Sequence, residues 1–183
     1  MKNTRANKVN TVLLILIAMT GIHLINNFLN GQFLQYGIYP RDIDRWYHVF
    51  TAPFIHGNWG HLLNNLVGLA VFSFLCMLRS VNYFIKASVF INLVTGCLVW
   101  LFARPAIHLG ASGWVFGLWS LLIVTAWFDR RFSNLLIAVF VVLFYGGMIY
   151  GILPGERGIS FESHLFGALA GLLFVSMTHK KRK

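Results

Sequence analysis

Charged side chains are scarce in this sequence, and acidic ones most of all. Of its 183 residues, 11% are charged, five are Asp or Glu, and 57% are hydrophobic. Ordinary soluble domains carry roughly a quarter charged residues, so this chain has too little polar side chain to coat a water-soluble globule. The composition therefore predicts an all-α, polytopic membrane protein, organised as one membrane domain over residues 1–183.

The scarcity of acids and cysteines excludes further classes of protein. No acid lies within an apolar run, whereas an intramembrane aspartyl protease needs two acids at membrane depth. The HExxH signature of a metalloprotease is absent, and no carboxylate or cysteine accompanies the histidines, so we expect no metal and no cofactor. Cys76 and Cys97 lie in apolar runs, where a reduced thiol behaves as a small hydrophobe, and we expect no disulfide framework.

Uncharged apolar runs recur along the whole chain, and each ends at charges, proline or turn residues. They predict a bundle of six transmembrane helices over residues 9–29, 61–78, 83–103, 113–128, 133–153 and 163–178. The first run could be a signal peptide, but it has no convincing small-residue cleavage site, so we predict a retained helix. The long connection 30–60 is rich in aromatic residues, and we expect it to contain short helical pieces at the membrane interface.

Positive charge is distributed unevenly between the connections. With both termini in the cytoplasm, all but four of the 15 Lys and Arg residues lie on the cytoplasmic side, including the basic tail 180–183. The four outer residues are Arg41, Arg45, Arg104 and Arg157. This asymmetry predicts cytoplasmic termini. The formal net charge of +10 is dispersed over short segments, so we expect no nucleic-acid partner.

Polar clusters interrupt the hydrophobic sequence at 56–65, 110–113 and 164–171. Polar side chains in lipid cost free energy, so their presence there indicates function rather than stability. In the predicted topology, each cluster lies near the outer end of a helix that runs inward. The charge count does not require the three clusters to lie at a similar depth. Their common depth therefore favours a composite site near the outer surface.

Ser112 and His164 are the residue types that nucleophilic catalysis needs. A serine hydroxyl is a poor nucleophile until a base takes its proton, and neutral imidazole is the usual base near pH 7. Backbone N–H groups at the start of the fourth helix could stabilise an oxyanion, assisted by His61 and Asn65, which lie four residues apart on one helix face. No acid is placed to orient the imidazole, so the sequence predicts a Ser-His dyad, with the Phe116 ring packed against the histidine.

Glycines indicate how the two dyad residues approach each other. Gly113 and Gly117 form a small-xxx-small pair on the fourth helix, and Gly167 and Gly171 do so on the sixth. Small residues let helix backbones come close where lipid provides no hydrophobic drive for association. We therefore expect these two helices to pack tightly.

The motifs resemble those of the rhomboid family of intramembrane serine proteases. The resemblance extends over nearly the whole chain, from the first connection to the last helix, and reproduces that family's minimal six-helix core. The residues that match the family's histidine cluster, GxSG motif and HxxGxxxG motif are, in order, His56, His61 and Asn65, then Gly110 to Gly113, then His164, Gly167 and Gly171.

This resemblance implies a role for each residue. Ser112 would be the nucleophile and His164 the general base. The oxyanion hole would comprise His61, Asn65 and the backbone N–H of Ser112, and His56 would be a structural partner near the site. The residues expected to support them are Gly110, Gly113, Phe116, Gly167 and Gly171.

The function implied by the resemblance is that of an intramembrane serine endopeptidase in the bacterial inner (plasma) membrane. It would hydrolyse peptide bonds at or near the outer end of transmembrane segments, with transmembrane proteins as substrates and the lipid bilayer as its surroundings. The alternatives are a catalytically inactive rhomboid-like protein that binds transmembrane helices, and a transporter, since polar residues in helices also mark substrate paths. The oligomeric state does not follow from the sequence.

Two positions depart from the family's pattern. Tyr47 and His48 stand where many relatives carry Trp-Arg in the first outer connection, and Phe116 stands where tyrosine is common. Neither departure removes a group that the dyad needs.

Overall fold

A computed structural model describes residues 2–155 and 158–179, with side chains from Ala6 onward. The predicted outer Arg157 and the basic tail 180–183 lie outside the described residues. The α-helices are α1 (Lys2–Phe28), α2 (Trp59–Met77), α3 (Val81–Phe102), α4 (Ser112–Phe128), α5 (Phe132–Tyr145) and α6 (Phe161–Thr178). The predicted all-helical membrane bundle is confirmed.

Five helical stretches in the described part of the chain are long and apolar enough to cross a membrane. One of them joins α5 to a 3₁₀ segment, Gly146–Ile152, so the run predicted as one helix over 133–153 is α-helical only as far as Tyr145. Glycines at the start of that segment weaken the α-helix, and the chain tightens into 3₁₀ turns. The remaining α-helix, α4, is shorter. It has 17 residues, which is about 26 Å of helix and less than the roughly 30 Å of a hydrocarbon core.

The short α4 helix lies in the centre of the bundle. Every residue from Ser112 to Leu122 is buried, so this helix has no polar face and no lipid-facing stripe over its first three turns. The connection that precedes its first residue is tied to the chain before α2, because Gly110 donates its N–H to the Ala52 carbonyl at 2.9 Å. The nucleophile predicted from the sequence therefore begins the most buried helix.

Contact between α4 and α6 is made by backbone on both sides. A Cβ atom on Gly167 would overlap the Gly113 carbonyl, and one on Gly171 would overlap the Gly117 carbonyl. In the other direction, a Cβ atom on Gly117 would lie 3.0 Å from the Gly167 carbonyl oxygen. The glycines thus let the two helices approach until their backbones touch.

The connection between α1 and α2 contains three 3₁₀ helices, Gln32–Tyr36, Ile43–Phe50 and Ala52–Phe54, as the sequence predicted. Trp46 and Phe50 are about half exposed, and their placement at a membrane interface stays a prediction. The connection ends at Asn58, which caps α2 by accepting a hydrogen bond from the backbone N–H of His61 at 2.8 Å. This cap fixes the first turn of α2, which carries His61 of the polar cluster 56–65.

Candidate active site

A cleft of about 950 Å³ opens between α2, the start of α4 and the start of α6. Ser112, His164, His61, Asn65 and Phe116 all line it, so the structure brings these predicted site residues together. The other predicted residues lie next to the cleft rather than in its lining. His56 and Gly110 both lie against the His61 ring, which is part of the lining. Gly113, Gly167 and Gly171 form the contact between α4 and α6.

The His164 ring is held on two sides. It stacks on Phe116 with the ring centroids 4.1 Å apart and the planes 6° from parallel. Its Nδ1 lies 2.9 Å from the backbone carbonyl oxygen of Gly151. Because a carbonyl only accepts hydrogen bonds, Nδ1 carries the proton in the neutral ring and Nε2 keeps a free lone pair. This is the tautomer that a general base facing a serine needs.

Gly151 is a residue of the candidate site that sequence reasoning missed. The sequence offers no acid to orient His164, and the structure uses a main-chain carbonyl from the 3₁₀ segment after α5 instead. A Cβ atom on Gly151 would lie 2.8 Å from Phe116 Cζ and 3.3 Å from His164 Nδ1, so the position has little room for a side chain. Any residue type has a carbonyl, and so the only signal in the sequence was the glycine itself.

Ser112 is the first residue of α4 and is 8% exposed. The backbone N–H groups of a first helical turn have no partner within the helix, and the positive end of the helix dipole lies there. Among the described residues, no hydrogen bond joins the Ser112 hydroxyl to His164, although both side chains face the same cleft. Catalytic hydrogen bonds are often long without substrate and shorten when it binds.

Asn65 and His61 lie against the glycine two positions before the serine. Gly110 has φ +102°, a left-handed backbone conformation, and a Cβ atom there would meet the His61 ring at 2.5 Å and Asn65 Nδ2 at 3.5 Å. Asn65 is 4% exposed, and its Nδ2 has no hydrogen-bond partner among the described residues. A buried amide N–H₂ without a partner costs free energy, and this one lies against Gly110, two residues before Ser112.

His56 supports the connection before the serine. Its Nε2 accepts a hydrogen bond from the Ala111 N–H at 3.3 Å, and its ring meets that of His61 edge-on at 5.1 Å. Burial, and then the neighbouring imidazoles of His61 and His23, lower the pKa of His56 from 6.5 to about 4, so the ring is neutral at pH 7. Because this pKa lies below that of the unfolded chain, the stabilisation from neutral His56 is complete above about pH 6.5 and is lost as the pH falls toward 4.

A family model described as Rhomboid domain matches residues 44–181, a range that contains this cleft. The chain belongs to the rhomboid family. An uncharacterized protein of Mycobacterium tuberculosis is 33% identical over 172 residues, which cover 89% of this chain and 72% of that protein. An uncharacterized protein of Mycobacterium leprae is 30% identical over 89% of this chain and 68% of its own length. Rhomboid-like protein 11, chloroplastic, of Arabidopsis thaliana is 31% identical over 94% of this chain and 67% of its own.

The two departures from the family pattern both have defined places in this rhomboid. Phe116 stacks on His164 through its ring face, a contact that needs no phenolic hydroxyl. His48 is 2% exposed and donates its Nδ1–H to the Gly37 carbonyl at 3.0 Å, which braces the connection between α1 and α2. Tyr47 packs edge-on against the His48 ring at 4.8 Å.

No group of three or more His, Cys, Asp or Glu within the described part of the chain could hold a metal ion.

Proposed function

We propose that this rhomboid is an intramembrane serine endopeptidase that cuts transmembrane proteins at or near the outer end of a membrane span. The observation that carries the proposal is the His164 tautomer. The ring faces the cleft beside Ser112 with Nδ1–H bound to the Gly151 carbonyl, which leaves Nε2 able to accept a proton. Asn65 adds a buried donor with no other partner among the described residues. A protein that only held transmembrane helices would need neither feature.

In the proposed mechanism, Nε2 of His164 takes the hydroxyl proton of Ser112 as Oγ attacks the scissile carbonyl carbon. The Asn65 side chain, His61 and the Ser112 backbone N–H stabilise the negative oxygen of the tetrahedral intermediate. The intermediate collapses when His164 gives its proton to the leaving amine, and an acyl ester on Ser112 remains. Water attacks that ester with His164 again as base, which releases the acid product and the free serine.

The substrate must leave its helical conformation to react. Inside a regular helix the carbonyl groups are hydrogen-bonded and the backbone is covered by side chains, so Oγ cannot reach them. We therefore propose substrates with a small residue before the scissile bond and helix-weakening residues after it, because the nucleophile lies beside closely packed backbone. We also propose that the protein resides in a bacterial inner membrane with both termini in the cytoplasm.

A fluorophosphonate probe on purified protein tests the proposed function. We expect one labelled residue, Ser112, and no labelling of His164→Ala, because the hydroxyl is unreactive without its base. Ser73→Ala is the matched control, since Ser73 is a buried helical serine with no hydrogen-bond partner among the described residues. A folded wild-type protein that is not labelled and does not cleave would instead support the inactive relative that only binds helices.

Removal of the Asn65 amide is expected to slow cleavage without stopping it. Loss of one oxyanion donor typically lowers kcat by about 10² to 10³, so Asn65→Ala should fall in that range with little change in KM. Asn92→Ala is the control, because it removes a helix-internal hydrogen bond from an asparagine side chain on α3 to the Ser88 carbonyl, at 3.0 Å. Equal rates for Asn65→Ala and wild type in a liposome cleavage assay would place the oxyanion elsewhere.

Reporter fusions test the proposed orientation. Fusions after Arg79 and Arg131 should be active only with a cytoplasmic reporter, and fusions after Arg104 and Gly155 only with an extracytoplasmic one. The cleft would then open toward the outer surface. The inverted pattern would place Ser112 near the cytoplasmic face and would refute cleavage at outer ends.

A further inference from the structure

The proposed nucleophile and base are carried by different segments of the chain. Ser112 follows the connection between α3 and α4, and His164 lies in the first turn of α6. Both segments contain buried polar residues to which the mechanism above assigns no role. Among them is His108, which is 3% exposed and lies four residues before the serine.

His108 bonds through both ring nitrogens. Nε2 lies 3.0 Å from the Arg104 backbone carbonyl, and Nδ1 lies 2.6 Å from the Ser160 hydroxyl. The carbonyl can only accept, so Nε2 carries the proton and, in a neutral ring, Nδ1 accepts from the Ser160 O–H. The tautomer of His108 is therefore fixed, and its ring joins the segment before Ser112 to the residue that precedes α6.

Ser160 transmits this contact to the first turn of α6. Its hydroxyl has given its only proton to His108, so it accepts from the Ser163 N–H at 3.2 Å and from the Ser163 hydroxyl at 2.7 Å. Its backbone carbonyl accepts the N–H of His164 at 3.3 Å. Ser160 is thus the cap of the helix and lies one turn before the proposed base.

The main chain at His108 is anchored as well. Its N–H donates to the Ile38 carbonyl and its carbonyl accepts from the Ile38 N–H, both at 2.8 Å. With the backbone fixed from one side, the ring has a defined position from which to hold Ser160. The histidine is a junction between the first outer connection, the segment before Ser112 and the start of α6.

We propose that His108 is a positioning residue for the Ser112–His164 pair, acting through its hydrogen bond to Ser160. This inference rests on the proposed function, and it adds a residue that acts through Ser160 rather than on the reacting atoms, although its ring also lines the cleft. The bond ties together two points that are each four residues before a member of the pair. Its loss would let α6 shift relative to the serine, and a misplacement of about 1 Å costs roughly 100-fold in rate.

Other contacts between the same segments should keep a variant folded. Arg104 pairs with Glu162 through Nε at 3.2 Å and through its backbone N–H at 3.3 Å, and it also donates to the Ile159 carbonyl. The backbone contact between α4 and α6 is independent of His108. Loss of the hydrogen bonds of the His108 ring should therefore leave the bundle folded, while the geometry of the pair is loosened.

The test compares cleavage kinetics of His108→Phe, Ser160→Ala and the double variant with wild type in liposomes. Phenylalanine fills the space of the imidazole without its hydrogen bonds. We expect each single variant to lower kcat about 10- to 100-fold with KM within about twofold, and the double variant to lose no more than either single one. Ser160→Thr keeps the hydroxyl and should restore most of kcat.

Trp100→Phe is the matched control, because it removes a part-buried hydrogen bond between α3 and the connection that joins α1 to α2, from Nε1 to the Asp42 carbonyl at 3.0 Å. It should lower the unfolding temperature by a similar amount and leave kcat unchanged. The positioning role would be overturned if His108→Phe kept the wild-type kcat or changed only KM. It would also be overturned if the losses of the two single variants multiplied in the double variant, or if Trp100→Phe lost as much kcat as His108→Phe. Undiminished cleavage by Ser112→Ala would instead refute the serine mechanism, so the two failures are distinguishable.

Discussion

Purified Ser112→Ala and His164→Ala proteins are each expected to lose cleavage of a single-span substrate in liposomes by a factor on the order of 10⁴ to 10⁶. The hydroxyl and the imidazole act as one unit, so removing either leaves only what the oxyanion donors and binding contribute. For the same reason, the double variant should be no slower than either single one. The measurement is the initial rate of product formation at saturating substrate.

Both variants should remain folded, which makes the loss attributable to chemistry. Ser112→Ala removes one oxygen atom from a buried position, and His164→Ala leaves Phe116 and the glycine contact between α4 and α6 in place. Unfolding temperatures within a few degrees of wild type are the control. Turnover by Ser112→Ala at a measurable fraction of the wild-type rate would end the serine mechanism, and a surviving rate in His164→Ala alone would mean that another group is the base.

Gly167→Ala is expected to damage both stability and activity. The new Cβ atom would overlap the Gly113 carbonyl of the facing helix, and backbone cannot rotate away as a side chain can. The helices must separate, at a cost of roughly 1 to 3 kcal/mol or more, and His164 moves away from Ser112 with its helix. We expect a clearly lower unfolding temperature and at least about a 100-fold loss of kcat.

Gly21→Ala is the matched control for this effect. Gly21 is also a glycine inside a helix, but a Cβ atom there would meet nothing within 4 Å, so alanine should be neutral or stabilise by up to about 1 kcal/mol. The comparison separates a steric clash from the general effect of a glycine on a helix. If Gly167→Ala unfolded at the wild-type temperature and cleaved at the wild-type rate, α4 and α6 would not be in backbone contact.

Much of the fold could be predicted from the sequence because membrane helices have a strong local signal. A stretch of about 20 apolar residues must satisfy its own backbone hydrogen bonds, and only a helix does so within one segment. Two features were beyond that reasoning. The glycines after Tyr145 tighten the chain into a 3₁₀ segment, and α4 is short and enclosed by the other helices, although its composition resembles that of a lipid-facing span.

The residues of the candidate site could be predicted from the sequence, but the hydrogen bonds that they make could not. Ser112, His164, His61 and Asn65 were identified because polar side chains in apolar sequence are costly and conspicuous. That they are catalytic stays a prediction for the variants to test. The carbonyl of Gly151 could not be found in this way, because a main-chain acceptor has no residue type that marks it.

Composition and apolar run length by themselves determined that this protein is a helical membrane bundle with its polar residues in three clusters, and the motifs in those clusters carried its resemblance to the rhomboids. These properties are local, because each depends on residues within one turn or one span. Only the tertiary structure decided which ring nitrogen of His164 carries the proton, that Asn65 Nδ2 has no partner among the described residues, and that His108 bonds to Ser160 at the start of α6. Those features depend on atoms from segments distant in the chain, and their positions follow from helix contacts that no single segment encodes.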